Sequence, residues 1–179
     1  MKSFLKDILG MSLYLLGILI LTFLVLHYVG QRTVVQGFSM ENTLMDGDNL
    51  IVDKLTYRFH EPDRFDVVVF PYQKGKNTYY IKRVIGLPGD TVYIDELGEI
   101  YINDEKLTEG FGKEVILDPG MAADTIYLGA EEYFVLGDNR NESADSRDPS
   151  VGTVKRDQII GRAWLRIYPF SSFGFIKHE

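Results

Sequence analysis

Apolar positions fall into two unlike patterns along this chain. From 8 to 29 they run without a charge, with only Gly, Ser, Thr and His as polar or small interruptions. About 22 such residues span about 33 Å as a helix, enough to cross a hydrocarbon core of about 30 Å. A cleavable leader has a shorter apolar core followed closely by a small-x-small site. Here the run ends in His27, Tyr28 and Val29, and Gly30, Gln31 and Arg32 follow. The pattern therefore predicts an uncleaved single-pass anchor over 8–29. Lys2 and Lys6 precede it, which leaves residues 1–7 cytoplasmic and 30–179 on the far side of the membrane. Arg32 lies on the opposing side of that balance, while Tyr14 and Tyr28 fall near the two interfaces.

Past Gln31 the helical period gives way to short β-branched and aromatic runs at 49–54, 66–71, 78–85, 91–94, 100–102, 132–136 and 159–168. Turn residues separate them, including Gly47-Asp48, Pro88-Gly89-Asp90, Asn103-Asp104 and Gly137-Asp138-Asn139. The segments 93–95 and 100–102 flank a Glu-Leu-Gly-Glu turn and read as a hairpin. No helix is expected after the anchor, and no internal repeat is visible. The fold class is mainly β: one N-terminal transmembrane helix, then a closed or barrel-like β domain, because many short strands must hide their edges. Residues 104–131, rich in Gly, Asp and Glu, read as a loop or a small appended hairpin.

Composition narrows the function classes. The chain has 179 residues, enough for one globular domain plus the anchor. Its net charge is −7; the first 32 residues stand at +2 and the rest at −9. So acidic a domain offers no basic patch for nucleic acid. The absence of cysteine rules out disulfides, thiolate nucleophiles and cysteine zinc sites. No Gly-rich phosphate loop or His/Glu metal spacing occurs, so neither cofactor nor metal is expected.

Two stretches carry candidate chemistry. Ser39 sits in Gly37-Phe38-Ser39-Met40, soon after the anchor. Alone, it would read as a turn or capping serine. Lys82 lies in Tyr79-Tyr80-Ile81-Lys82-Arg83-Val84-Ile85, and in a strand it shares a face with Tyr80 and Val84. A lysine among large apolar neighbours loses solvation of its charged form, so its neutral amine becomes available as a base. Without a partner, Lys82 would read as a solvated edge-strand lysine. A serine hydroxyl needs such a base to attack. The loop 137–147 follows a clear strand and gathers Ser143, Asp145, Ser146 and Arg147, groups able to orient an amine and brace a loop. His27, His60 and His178 form no motif with a serine.

These residues, with Arg64-x-Asp66-Val67-Val68-Val69-Phe70, Gly86-x-Pro88-Gly89-Asp90 and Gly161-Arg162-Ala163-Trp164, stand in the order found in bacterial type I signal peptidases. The resemblance covers nearly the whole chain and is closest to the compact Gram-positive-like form. It implies a membrane-bound Ser-Lys endopeptidase that removes signal peptides from exported preproteins after small residues. By resemblance Ser39 is the nucleophile and Lys82 the general base. Ser143 would hydrogen-bond the lysine, Asp145 and Arg147 would brace the loop, and Met40 would line the substrate pocket. The Ser39 backbone N–H would form the oxyanion hole; some members add a hydroxyl two residues earlier, where this chain has Gly37. Two positions depart from the family pattern: Asn42 replaces a usual Pro, and Phe65 a usual Gly. The expected partners are preproteins and the lipid bilayer.

Three rivals stand beside this reading. They are a peptidase with one dedicated client, an inactive tethered β-domain chaperone, and a self-cleaving Ser-Lys repressor. The intact Ser39 and Lys82 oppose the second, and the anchor without a DNA-binding helix pair opposes the third.

Overall fold

The computed structural model describes residues 2–24, 30–73, 75 and 78–178, with backbone alone for 2–5 and 24. The apolar run forms helix α1, Lys2–Leu24. Its stretch Lys6–Phe23 has a mean hydropathy of 1.7, and none of it is buried in the protein. By length and composition α1 is able to cross a membrane. Residues 25–29 of the expected anchor, His27 and Tyr28 among them, lie outside the described residues.

Beyond α1 the described chain is made of strands joined by loops and short 3-10 turns. The larger sheet contains β1 (Gly30–Val34), β2 (Asn49–Asp53), β3 (Val67–Pro71) and β4 (Tyr79–Gly86). It also contains β9 (Glu132–Leu136), β10 (Val154–Lys155), β11 (Gly161–Tyr168) and β12 (Gly174–Phe175). Its order is β1-β2-β11-β3-β4-β9-β10, with β12 paired to β11. A smaller sheet, β7-β6-β5-β8, is built from β5 (Thr91–Ile94), β6 (Ile100–Ile102), β7 (Glu105–Lys106) and β8 (Ile126–Tyr127). The mainly β class holds, and the 93–102 hairpin forms with Ile94 opposite Ile100. The expected closure does not: among the described residues β1 and β10 end the path without pairing. The edges are blunted in another way, since β10 is two residues long and β1 exposes Gln31 and Arg32.

The central strands bury both faces, which explains their unbroken apolar runs. On β3, Val67 and Val69 pack with Met40, Leu44 and Leu50, while Val68 and Phe70 pack with Tyr57, Val84 and Val135. On β9, Phe134 and Leu136 face a third cluster with Ile85, Val92 and Ile100, under the smaller sheet. Each such fully buried side chain contributes about 1.5–3 kcal/mol. Segment 104–131 supplies β7 and β8. Asn103 and Asp104, at φ 52° and 67°, make the tight β6–β7 turn, a conformation these two residue types tolerate.

Candidate active site

The chain leaves β1 into a loop tied at its base by Val35 N–H to Asp48 O (2.8 Å) and Gly47 N–H to Val35 O (3.0 Å). Gly37, at φ 90°, turns the loop and donates its N–H to Asp46 Oδ1 (2.8 Å). Ser39 then stands in a turn closed by Glu41 N–H to Phe38 O (3.0 Å). Met40, only 2% exposed, roots the turn in the core beside Leu44. The loop is also held from across the fold. Asn139 donates its N–H to Ser39 O (3.0 Å) and its side-chain amide to Phe38 O (3.1 Å). Gly137 passes so close that a Cβ there would lie 2.4 Å from Ser39 O, so a side chain is excluded.

Lys82 lies on β4 opposite Val68 and is 3% exposed. Its Nζ is 2.6 Å from Ser39 Oγ and 5.0 Å from the centre of the Tyr80 ring. Burial pushes the lysine down to about 8, against an upward pull from Asp145 and Asp138 and a further downward push from Arg147. A neutral amine is therefore accessible at mildly alkaline pH, within hydrogen-bond distance of the Ser39 hydroxyl.

The loop after β9 packs behind this pair. Asp145 is fully buried and accepts from Arg147 Nε (2.8 Å), Arg147 Nη2 (2.9 Å) and the Gly137 N–H (3.1 Å). Arg147 Nη1 reaches Asp118 O at 3.1 Å. Ser143 behaves differently from expectation. Its Oγ is buried without a hydrogen-bond partner among the described residues and packs where a Gly137 side chain would be. The lysine contacts Ser39 instead.

Sequence reading missed the cluster next to the pair. Arg83 donates Nε and Nη2 to the two oxygens of Asp138 (2.9 and 2.8 Å), and both side chains are fully buried. Its other donors reach Phe65 O (2.8 Å), Lys177 O (3.0 Å) and Thr43 Oγ1 (3.1 Å), and the guanidinium lies 3.7 Å from the Phe111 ring centre. Alternation put Arg83 opposite Lys82, but nothing local indicated a partner 55 positions away. The two departures both stand at left-handed backbone positions, which accounts for the lack of proline at 42 but leaves Phe65 strained. Asn42 has φ 95°, which proline cannot adopt, and Phe65 has φ 72°, the left-handed region usually given to glycine. His178 is occupied elsewhere: its Nδ1 accepts the Val67 N–H (3.2 Å) beside Asp66, and burial pushes it down to about 4.

Ser39, Met40 and Lys82 line an open cleft of about 720 Å³. Residues 32–38, from β1 and the loop after it, and 78–81, from β4 and its approach, also line it. Among the described residues β1 pairs only with β2, and β4 pairs with β9 only from Arg83 onward, so two strand edges are unpaired at this cleft. No group of three or more His, Asp or Glu among the described residues is placed to hold a metal.

Several known proteins are similar to this chain. Signal peptidase I of Bacillus caldolyticus is 39% identical over 163 residues, covering 83% of this chain and 85% of that protein. Signal peptidase I U of Bacillus subtilis (strain 168) is 34% identical over 178 residues, covering 94% and 91%. A crystal structure of a signal peptidase I from Enterococcus faecalis V583 is 31% identical, with a TM-score of 0.48 over 57% of this chain and 97% of that one. The family model described as signal peptidase, peptidase S26, matches residues 8–168, and the chain belongs to that family.

Proposed function

We propose that the protein is a membrane-bound serine endopeptidase that removes N-terminal signal peptides from exported preproteins, with Ser39 as nucleophile and Lys82 as general base. The observation that carries this reading is the 2.6 Å contact between Lys82 Nζ and Ser39 Oγ, made by a lysine withdrawn from water. Neutral Lys82 takes the hydroxyl proton as Ser39 Oγ attacks the carbonyl after a small residue. The resulting ammonium protonates the leaving amine, and water then hydrolyses the ester with Lys82 again as base. The Ser39 N–H stabilises the oxyanion. Gly37 has no side-chain hydroxyl, and its own N–H is committed to Asp46. Asp145 and Arg147 hold the loop behind the lysine, and Met40 closes the floor of the pocket.

The unpaired edges of β1 and β4 support an extended substrate lying between them as an added strand, with alternate side chains entering the cleft. Helix α1 is read as the anchor, with the N-terminus cytoplasmic and the β domain on the outer face. Tethering enzyme and preprotein in one layer raises their effective concentration. The test is cleavage of a purified preprotein by the detergent-solubilised chain beside folded Ser39→Ala and Lys82→Ala proteins. Cleavage after a small-x-small site should vanish in both variants; activity surviving in either defeats the dyad.

A further inference from the structure

Asn139 takes no part in the proton transfers above, yet it grips the backbone on both sides of Ser39. Its side-chain amide donates to Phe38 O at 3.1 Å, and its own N–H donates to Ser39 O at 3.0 Å. A peptide unit is planar and trans, so its C=O and N–H point in opposite directions. Fixing Phe38 O therefore fixes the direction of the Ser39 N–H, and fixing Ser39 O fixes the following plane. With both planes held, the φ and ψ of Ser39, and so the line of its Cα–Cβ bond, are set.

A local bond shares the first task, because Glu41 N–H also reaches Phe38 O at 3.0 Å. That turn, however, can rock as a unit relative to the sheet. Asn139 is 101 positions away in sequence, is 4% exposed, and sits on the loop directly after β9. Its contact ties the turn to the same loop that carries Asp145, and hence to the surroundings of Lys82. Among the described residues the Ser39 N–H has no acceptor, while Gly37 N–H is consumed by Asp46. A hole with a single backbone donor depends strongly on how that donor is aimed.

We infer that Asn139 is a positioning residue that aims the Ser39 N–H into the cleft, so that the side-chain amide of the Gly-Asp-Asn segment sets the oxyanion hole. This rests on Ser39 acting as the nucleophile. Asn139 touches no reacting atom and acts through the Phe38 carbonyl.

The test uses the full-length detergent-solubilised chain with a peptide ester ending in a small residue on its acyl side. It is run beside the thiono ester, in which sulfur replaces the carbonyl oxygen. Sulfur is a larger and weaker acceptor, so the rate ratio between the two esters reports the hole itself. Asn139→Ala is expected to lower kcat for the oxygen ester about ten- to a hundredfold with KM nearly unchanged. The thiono rate should fall much less, compressing the ratio, and the pH at which the rate rises should stay where Lys82 places it. Asn139→Asp keeps the side-chain volume and the backbone N–H bond but presents an acceptor to Phe38 O. It should show the same compression, and it supplies the answer if the alanine variant does not fold. An unchanged ratio in a folded variant, or an equal fall for both esters, overturns the inference. Ser39→Ala is measured alongside: if it cleaves normally the nucleophile reading itself fails, whereas an inactive Ser39→Ala with an unchanged Asn139 ratio removes only the role of Asn139.

Discussion

Lys82 and Arg83 are neighbours on β4, both are cations, and both are withdrawn from water, at 3% and 0% exposure. The fold treats them in opposite ways. Arg83 has all five guanidinium donors engaged, two of them on the fully buried carboxylate of Asp138. Lys82 meets a serine hydroxyl and an aromatic face, with its nearest acidic influences, Asp145 and Asp138, held in ion pairs with Arg147 and Arg83. A buried cation with a complete shell is a structural tie; the same burial without one lowers the pKa, as the proposed role of a base requires. The alternation of a strand delivers both outcomes from consecutive residues.

The comparison breaks first at the lysine. On the proposed mechanism Lys82→Met should abolish cleavage, with kcat falling by roughly 10⁴-fold or more, since the proposed base and nucleophile would act as a unit. The same variant should be more stable than the parent at pH 7, by about 3 kcal/mol, in chemical denaturation. The sign follows from the depressed folded pKa of about 8 against an ordinary value of 10.5. The parent bears the full cost of an ill-solvated ammonium below pH 8, and that cost is relieved as pH rises toward 10.5. The stability advantage of the variant should fade over that window; a variant less stable at pH 7 would refute the account.

On the other face the expected sign is reversed. Arg83→Met leaves Asp138 buried and unpaired and should cost about 3–5 kcal/mol of stability by the same assay. Replacing both partners with apolar residues should recover much of that loss. A smaller effect sharpens the contrast through pH. The rate should rise with a midpoint near pH 8 and then level, as Lys82 loses its proton. Asp145→Asn removes the larger of the two carboxylate influences that raise Lys82 and should move the midpoint to lower pH, read from kcat/KM profiles. Least of all, Phe65→Gly relieves a left-handed φ of 72° but gives up the ring contact with Phe111 at 5.3 Å. Loss of the half-buried ring, which also packs against the core under the smaller sheet, outweighs the relieved strain, and stability should fall by about 1–2 kcal/mol.

Much of this was legible in the chain because it depends on local pattern. The uncharged run fixed a long exposed helix, and the strands from 49–54 to 159–168 were visible from their β-branched and aromatic character. Strands β7, β8, β10 and β12 were not, because two residues carry no period. Polar β1, with Gln31 and Arg32, lacks the apolar content that marks a strand and is set by its partner β2. Among the site residues, Ser39, Lys82, Asp145 and Arg147 were singled out by type and order. The bond expected from Ser143 to the lysine is absent, because that hydroxyl packs against Gly137.

The sequence by itself determined the anchor-like helix, the β character of the remainder, and the residues able to serve as nucleophile and base. Those properties follow from side-chain chemistry and from periods of two and 3.6, which are local. Tertiary structure alone decided that Arg83 pairs with Asp138, that Asn139 grips the Ser39 peptide planes, and that among the described residues the larger sheet stays open. Each depends on contacts between residues tens of positions apart, or on whether two distant edges meet. No period in the chain encodes such distances; only the packing of the sheets does.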